Sequence, residues 1–370
     1  MSKYVTKISD INLDLKGQAK AEGLSFEDKL TRMAEAGHLE LGGREISGQE
    51  KDAQGHAVPV WKEILSAQGI ETRGRHQAAT VNDVFFTDPD NKILFPLYIE
   101  GRFREINNYR PNQLRITDLV ADMVPVTTGA MGMDTLTDSD DAETDPARIA
   151  EGAEFPVLVI KSAGKTIILL KRGGRLEATY EAIAGASVST FNRWLTRLAR
   201  RTETTKIRAA LAMLKNGDGG NAAPNVASAG AAYTIGDIVK LIQRAGDFGA
   251  EPMILTGDTT EMGALFALDF LSSPANNGMQ SENLRENGTL PRLLGMMPKF
   301  APTRSVMDGS KQLMAIDPAL GLTMAYNPAM DLVEYDAVIE RQIKAVQISE
   351  QYGFGKPDIA AAVTLTRTGA

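Results

Sequence analysis

Residues 154–221 constrain this chain more than any other stretch. In order they read as two apolar strands, a basic bend at Gly173 and Gly174, one long basic helix, and a glycine stop at Gly217, Gly219 and Gly220. Phe191, Trp194, Leu195, Leu198, Ile207, Leu211 and Leu214 recur at three- and four-residue steps. That period predicts an amphipathic helix over 189–214 with Ser189 as its cap, its spacing interrupted at 202–205. About 26 residues at 1.5 Å each make a rod of roughly 40 Å. Ahead of it, β-rich runs at 155–160 and 166–170 flank a short Gly164-containing connection, the pattern of a hairpin. A two-stranded ribbon is marginal in water and needs a surface to lie on. The segment contains no evident catalytic site. A projecting ribbon and a stiff rod are parts for contacts between copies of one protein.

Composition narrows the class. At 370 residues, and with about 150 residues per domain as a prior, roughly two domains are expected. An apolar content of 43 % with 24 % charged residues allows a packed core. The net charge of -7 argues against a general polycation. The chain has no cysteine, which removes disulfides, thiolate metal sites and cysteine nucleophiles. Its histidines are His38, His56 and His76, without metal-ligand spacing. The N-terminus lacks a secretory apolar core, and no apolar run approaches the ~18 residues of a membrane span. No cofactor and no membrane partner are expected, and the chain reads as a soluble cytoplasmic product.

Three motifs invite a chemical reading. Ala163-Gly164-Lys165-Thr166 resembles the end of a phosphate loop, but Val159 stands where a glycine is needed and a strand follows instead of a helix. The acidic run with Asp138, Asp140 and Asp141 lacks the turn glycine and terminal glutamate of a calcium loop. The glycines at 217–220 follow a long helix and read as its exit. A cytoplasmic enzyme holding phosphate through Lys165 or Gly217–Gly220 is thus the weaker alternative.

Charge is organised along the ribbon. The charged residues at 134–154 are all acidic except Arg148, whereas 155–176 carry Lys161, Lys165, Lys171, Arg172 and Arg175 and no acid. Opposite charges on outgoing and returning parts give docking a register. The helix adds a basic face of Arg193, Arg197, Arg200, Arg201 and Arg208. Beyond it lies an α/β section: Thr234 caps a helix over 235–245, a strand runs over 252–255, and Thr259/Thr260 cap a helix through 271. A polar, Asn-rich surface loop is expected at 272–289. Strands follow at 312–316 and 322–325, and a mainly β tail at 331–366. Residues 1–110 read as an extended, loosely organised section with short helices, one ended by Gly37 and one over 60–68.

This succession resembles the major capsid protein of tailed bacteriophages, with the Hong Kong 97-type coat fold. The resemblance is carried by LRITDL at 114–119, GKTIILLKRGGRLEATYEAI, STFNRWLTRLARRTETTKIRAALAML followed by KNGDGG, YTIGDIVKLIQRAGDFGAEPMIL, and the closing YDAVIERQIKAVQISEQYGFGKPDIAAAVTLT. It implies an α+β fold with a peripheral domain, an axial domain, a long extended loop hairpin, a spine helix and an N-terminal arm. The implied boundaries are 1–113 for the arm and short helices, 114–126 for the start of the peripheral domain, and 127–175 for the extended loop. Residues 176–232 form the spine helix and glycine-rich loop, 233–303 the axial domain, and 304–370 its return strands with the closing peripheral strands.

The resemblance further implies a non-enzymatic subunit that self-assembles through hexamers and pentamers into an icosahedral virion shell, built in the host cytoplasm. Packaged double-stranded DNA, held by non-specific contact, and scaffolding, portal or cement proteins are its implied partners. An encapsulin-type bacterial compartment of the same fold is the alternative. The inter-subunit contacts expected in the extended loop are Asp138, Asp140, Asp141, Lys161, Lys165, Lys171, Arg172 and Arg175. An uncleaved arm is expected because the sequence begins at Met1. Residues 331–352 hold no asparagine for a lysine–asparagine cross-link, Asn327 being the nearest, so shell strength is expected from apolar burial and many weak ionic contacts.

Overall fold

The computed structural model describes residues 10–11, 13–22, 24, 26–41, 43–51, 57–68, 70, 97–99, 101–102, 113–133, 164–179, 188–219, 221–268, 292–330, 332–338 and 343–368. Its organising element is the long helix Val188–Asn216. The helix runs unbroken through 202–205, where the apolar spacing lapses. There Thr202, Thr204 and Thr205 donate their hydroxyls to the carbonyls of Leu198, Arg200 and Arg201, four residues back. The lapse marks a boundary between two cores served by one rod. Phe191, Leu195 and Ala199 belong to one core, and Ile207, Ala210, Leu211 and Leu214 to another.

The first core is built largely from the N-terminal section. Helices α1 (Leu13–Ala21), α2 (Phe26–Glu35) and α3 (Val60–Ala67) and the small hairpin of β1 (Glu40–Leu41) and β2 (Arg44–Glu45) supply its apolar residues. Ile11, Leu30, Leu39, Trp61, Ile64 and Tyr98 bury against the N-terminal half of the long helix. Trp61 meets Tyr98 edge-on at 6.0 Å between centroids, and the Tyr98 hydroxyl donates to Asn192 of the long helix. The described parts of this section therefore pack on the body, where an extended and loosely organised stretch was expected. Gly37 does end α2, with φ +68 and its N–H on the Ala34 carbonyl.

Two five-stranded sheets follow. One contains β3 (Val120–Pro125), β6 (Leu170–Thr179), β11 (Leu322–Tyr326), β12 (Leu332–Val338) and β13 (Ile343–Gly355). Its order is β12-β13-β11-β3, with β6 along the other edge of β13. The double glycine expected as a bend lies inside β6, where Gly173 pairs with Ser349 and Gly174 with Ile348. A Cβ on Gly173 would stand 2.4 Å from the Ile348 carbonyl oxygen, and one on Gly174 3.1 Å from Leu198 of the long helix. Sterics at this crossing, not a turn, call for the glycines.

The second sheet has the order β7-β14-β10-β8-β9, from β7 (Asn225–Ala227), β14 (Ala362–Thr366), β10 (Gln312–Ile316), β8 (Ile254–Gly257) and β9 (Met297–Phe300). Helix α5 (Ile235–Asp247) packs on β14, β7 and β10, and α6 (Thr259–Phe266) on β8 and β10. Counting the long helix as α4, each of these has a side-chain cap. Thr234 accepts from Asp237 N–H while Asp237 accepts from Thr234 N–H, a reciprocal box. Asp258, not Thr259 or Thr260, caps α6 by accepting from Glu261 N–H at 2.7 Å. The fold is thus α+β, as expected. The surface loop expected at 272–289 lies outside the described residues.

Leu195 is wholly buried where the N-terminal section meets the long helix. Leu195→Ala is expected to lower stability by about 2–5 kcal/mol, with faster proteolysis before residue 110. A denaturation midpoint matching the parent would show that the section is not docked there.

Candidate assembly surfaces

The ribbon begins at β4 (Ala130–Met133), which pairs antiparallel with β5 (Lys165–Ile168). The strand expected at 155–160 lies outside the described residues, as do Asp138, Asp140, Asp141 and Lys161. Ile167 and Leu169 turn inward with Met133 and Ala325 into a small core. Gly353 and Gly355 of β13 allow that approach, since a Cβ there would stand 2.4 Å from the Ile168 carbonyl oxygen and 2.5 Å from the Met133 sulfur. Ile168 and Leu170 face outward, 65 % and 54 % exposed. Large apolar side chains left open at alternate positions where β5 passes into β6 form an exposed stripe.

Lys165 is engaged within the subunit. It pairs with Asp218 of the glycine-rich loop that follows the long helix. The Asp218 N–H donates to Asn221 Oδ1 at 2.9 Å, and Asn221 Nδ2 donates to the Lys356 carbonyl at 2.6 Å. Wholly buried Lys356 donates its Nζ to the carbonyl of Leu214, in the last turn of the long helix, at 3.0 Å. Gly217 makes the turn with φ +66, and a Cβ there would overlap Asn221. The two motifs weighed for phosphate are therefore bonded to each other, while Gly217 N–H, Ala223 N–H and Lys356 Nζ close the helix C-terminus on the carbonyls of Met213, Lys215 and Leu214. Burial pushes the Lys356 ammonium down to about 8, against the opposing pull of Asp358 and Asp218.

The other expected ribbon contacts divide. Arg172 lies over the Tyr352 ring at 5.2 Å, and Lys206 of the long helix lies over the same ring at 5.3 Å. Lys206 also pairs with Glu350 at 2.8 Å. Burial draws the Lys206 pKa down, but the charge and hydrogen bond of Glu350 outweigh it and hold the pKa above its usual range. Arg172 is thus spent within its own subunit, pinning β6 to β13. Arg175 pairs with Glu177 at 2.9 Å, both half-exposed, a contact of little strength. Lys171 is exposed.

On the long helix, Arg193, Arg197, Arg200 and Arg201 are exposed and meet no carboxylate among the described residues. Their spacing puts them on one stripe opposite Phe191, Leu195 and Ala199. Arg208 is set apart from that stripe, because its Nε donates to the Thr303 carbonyl at 2.8 Å. Asn327 is buried, with its N–H on the Gln351 carbonyl. Residues 114–370 also hold anchors that charge patterning did not single out: Lys356, Asn221 and Glu350. Spacing alone gives no sign that distant residues converge on one helix end.

Lys356 yields a pH signature. Its folded pKa lies below the unfolded value of 10.5, so between pH 8 and 10.5 the unfolded state binds more protons and stability from this group rises with pH. Lys356→Met removes that rise. The stability difference, parent minus variant, is expected to grow across this window in denaturation measurements, and a flat difference would contradict the buried placement.

Comparison with known proteins gives one family. The family model described as phage capsid protein matches residues 164–365. That span holds the returning strand of the ribbon, the long helix and most of both sheets. No curated protein matches the chain. Among solved structures, a chain of Mycobacterium phage Che8 is similar at 14 % identity and TM-score 0.46, over 66 % of this chain and 86 % of that one. One of Microbacterium phage Oxtober96 is similar at 12 % identity and TM-score 0.47, over 70 % and 93 %. A capsid chain of a native GTA particle is similar at 17 % identity and TM-score 0.43, over 71 % and 94 %.

Proposed function

Because this chain belongs to the phage capsid protein family, we propose that it is the major head subunit of a tailed bacteriophage, whose copies close into an icosahedral shell of hexamers and pentamers around double-stranded DNA. The observation that carries the reading is the family match across residues 164–365, more than half of the chain. The geometry agrees with a structural role. Lys165 and the glycines after the long helix, the best candidates for a phosphate site, are occupied by contacts within the subunit. What stays open is contact surface: the apolar stripe of Ile168 and Leu170, and the four-arginine stripe.

In this reading the ribbon, residues 127–175, extends over a neighbouring subunit, with Asp138, Asp140, Asp141, Lys161 and Lys171 at the contact. The contacts of Lys165 and Arg172 hold its returning strand to its own body, whereas Arg175 pairs along that strand. Residues 233–303 with the return strands form the axial domain, the remainder of 114–370 the peripheral domain, and 1–113 the N-terminal section. Hosted assembly, a virion location and scaffolding, portal or cement partners follow from the same reading. The arginine stripe is the surface for packaged DNA, since four unneutralised guanidinium groups on one rod suit a phosphate backbone without base readout.

Two experiments test this. The expressed protein is expected to form closed particles in negative-stain images. Replacing 134–163 by a short glycine turn is expected to abolish them while the circular dichroism spectrum of the folded subunit persists. An ordered monomer that never assembles would sink the proposal. Separately, replacing Arg193, Arg197, Arg200 and Arg201 by Gln is expected to weaken double-stranded DNA binding and flatten its salt dependence, by up to about 0.9 in log–log slope per lost phosphate contact. An unchanged slope would move DNA to another surface.

A further inference from the structure

The sheet of β7, β14, β10, β8 and β9 leaves two apolar patches open, one towards each edge. At the β9 edge, Leu293 and Met296 exchange backbone hydrogen bonds across the two-residue turn Leu294-Gly295. Both turn residues have positive φ, +48 for Leu294 and +89 for Gly295, the combination of a type I′ hairpin turn. That first position suits Asn, Asp or Gly and strains a leucine. Leu294 is nonetheless there, 48 % exposed at the tip. Met297, 39 % exposed, gives its N–H to the carbonyl of Met253, itself 57 % exposed. These three exposed apolar side chains, together a knob, lie on one stretch of the edge, Leu294 three residues before Met297 and Met297 bonded through its backbone to Met253. At the other edge, α5 packs over β7 and β14 and leaves Ile235 and Val239, one helical turn apart, 39 % and 42 % exposed.

We infer that the knob of Leu294, Met253 and Met297 on one copy docks against the Ile235–Val239 face of α5 on the next copy, around a closed ring. A ring of identical subunits needs a head-to-tail interface, in which two different patches on each copy meet. Two unlike apolar patches towards opposite edges of one sheet meet that requirement, whereas a two-fold contact would need one patch that fits itself. A strained leucine left about half exposed at a tip gains further burial when a neighbouring copy covers it. The inference rests on the capsid reading above and specifies which surfaces join subunits within one ring.

The absence of cysteine makes the test clean. Leu294→Cys and Val239→Cys are made singly, mixed in equal amounts, co-assembled and mildly oxidised, then run on a non-reducing gel. Disulfide-linked dimers are expected from the mixture, and ladders of higher oligomers from assembled particles of the double variant. Cross-linking of Leu294→Cys with itself, or the absence of any cross-link in intact particles, overturns the proposed contact and leaves the capsid reading standing. Failure of the parent chain to form particles would count against the capsid reading itself. A second variant separates assembly from folding. Leu294→Asn relieves the turn and is expected to raise the melting temperature of the unassembled subunit by about 1–2 °C. It is also expected to lower particle yield about tenfold. Undiminished yield overturns the inference.

Discussion

A single helix has to satisfy two cores. Phe191, Leu195 and Ala199 face the N-terminal helices and hairpin, whereas Ile207, Ala210, Leu211 and Leu214 face the sheets. Neither core can form around a broken rod, so helix continuity couples the N-terminal section to the rest of the fold. The threonines between the two stretches keep the helix intact where apolar contact lapses, their hydroxyls turned back onto the preceding carbonyls. The rod is consequently not an exposed strut awaiting a neighbour. Its apolar stripe packs inside the subunit, and among its described residues the arginine stripe remains open.

The helix end shows how the mid-chain ribbon is held. A buried lysine normally costs stability because its charge loses water. Here Lys356 answers the unsatisfied carbonyls that every helix C-terminus leaves, and the same loop offers Asp218 to Lys165. One polar cluster thus joins the end of the rod, the closing strand β13 and the base of the ribbon. A second contact, Arg172 and Lys206 around Tyr352, holds the ribbon's returning strand farther along. The described base of the ribbon, β4 and β5, is thereby anchored to the body.

Much of the fold was legible in the sequence. The long helix, Thr234 as a cap, the strands at 312–316 and 322–325 and the β-rich tail all follow from local period and capping chemistry, which need no knowledge of distant residues. Other features were not legible for the same reason. Gly173 and Gly174 look like a bend until Ile348 and Leu198 are known to press on them. Charged residues drew attention as contacts, yet Arg172, Arg175 and Arg208 each find a partner in their own subunit. The more telling surface features are apolar: Ile168, Leu170 and Leu294 stand out only once burial is known.

The placement of charge on β6 bears on how such a protein avoids the wrong polymer. A sheet margin with free backbone groups invites endless strand addition, especially at the high concentrations at which many copies must meet. The long β13 is enclosed, with β6 on one side and β12 and β11 on the other. Beyond it, β6 carries Lys171, Arg175 and Glu177 outward, and the flanking strands of the second sheet, β7 and β9, are short. Fibre growth by edge pairing is thereby discouraged, which leaves subunit recognition to side chains, whose shape and chemistry can specify a finite number of neighbours.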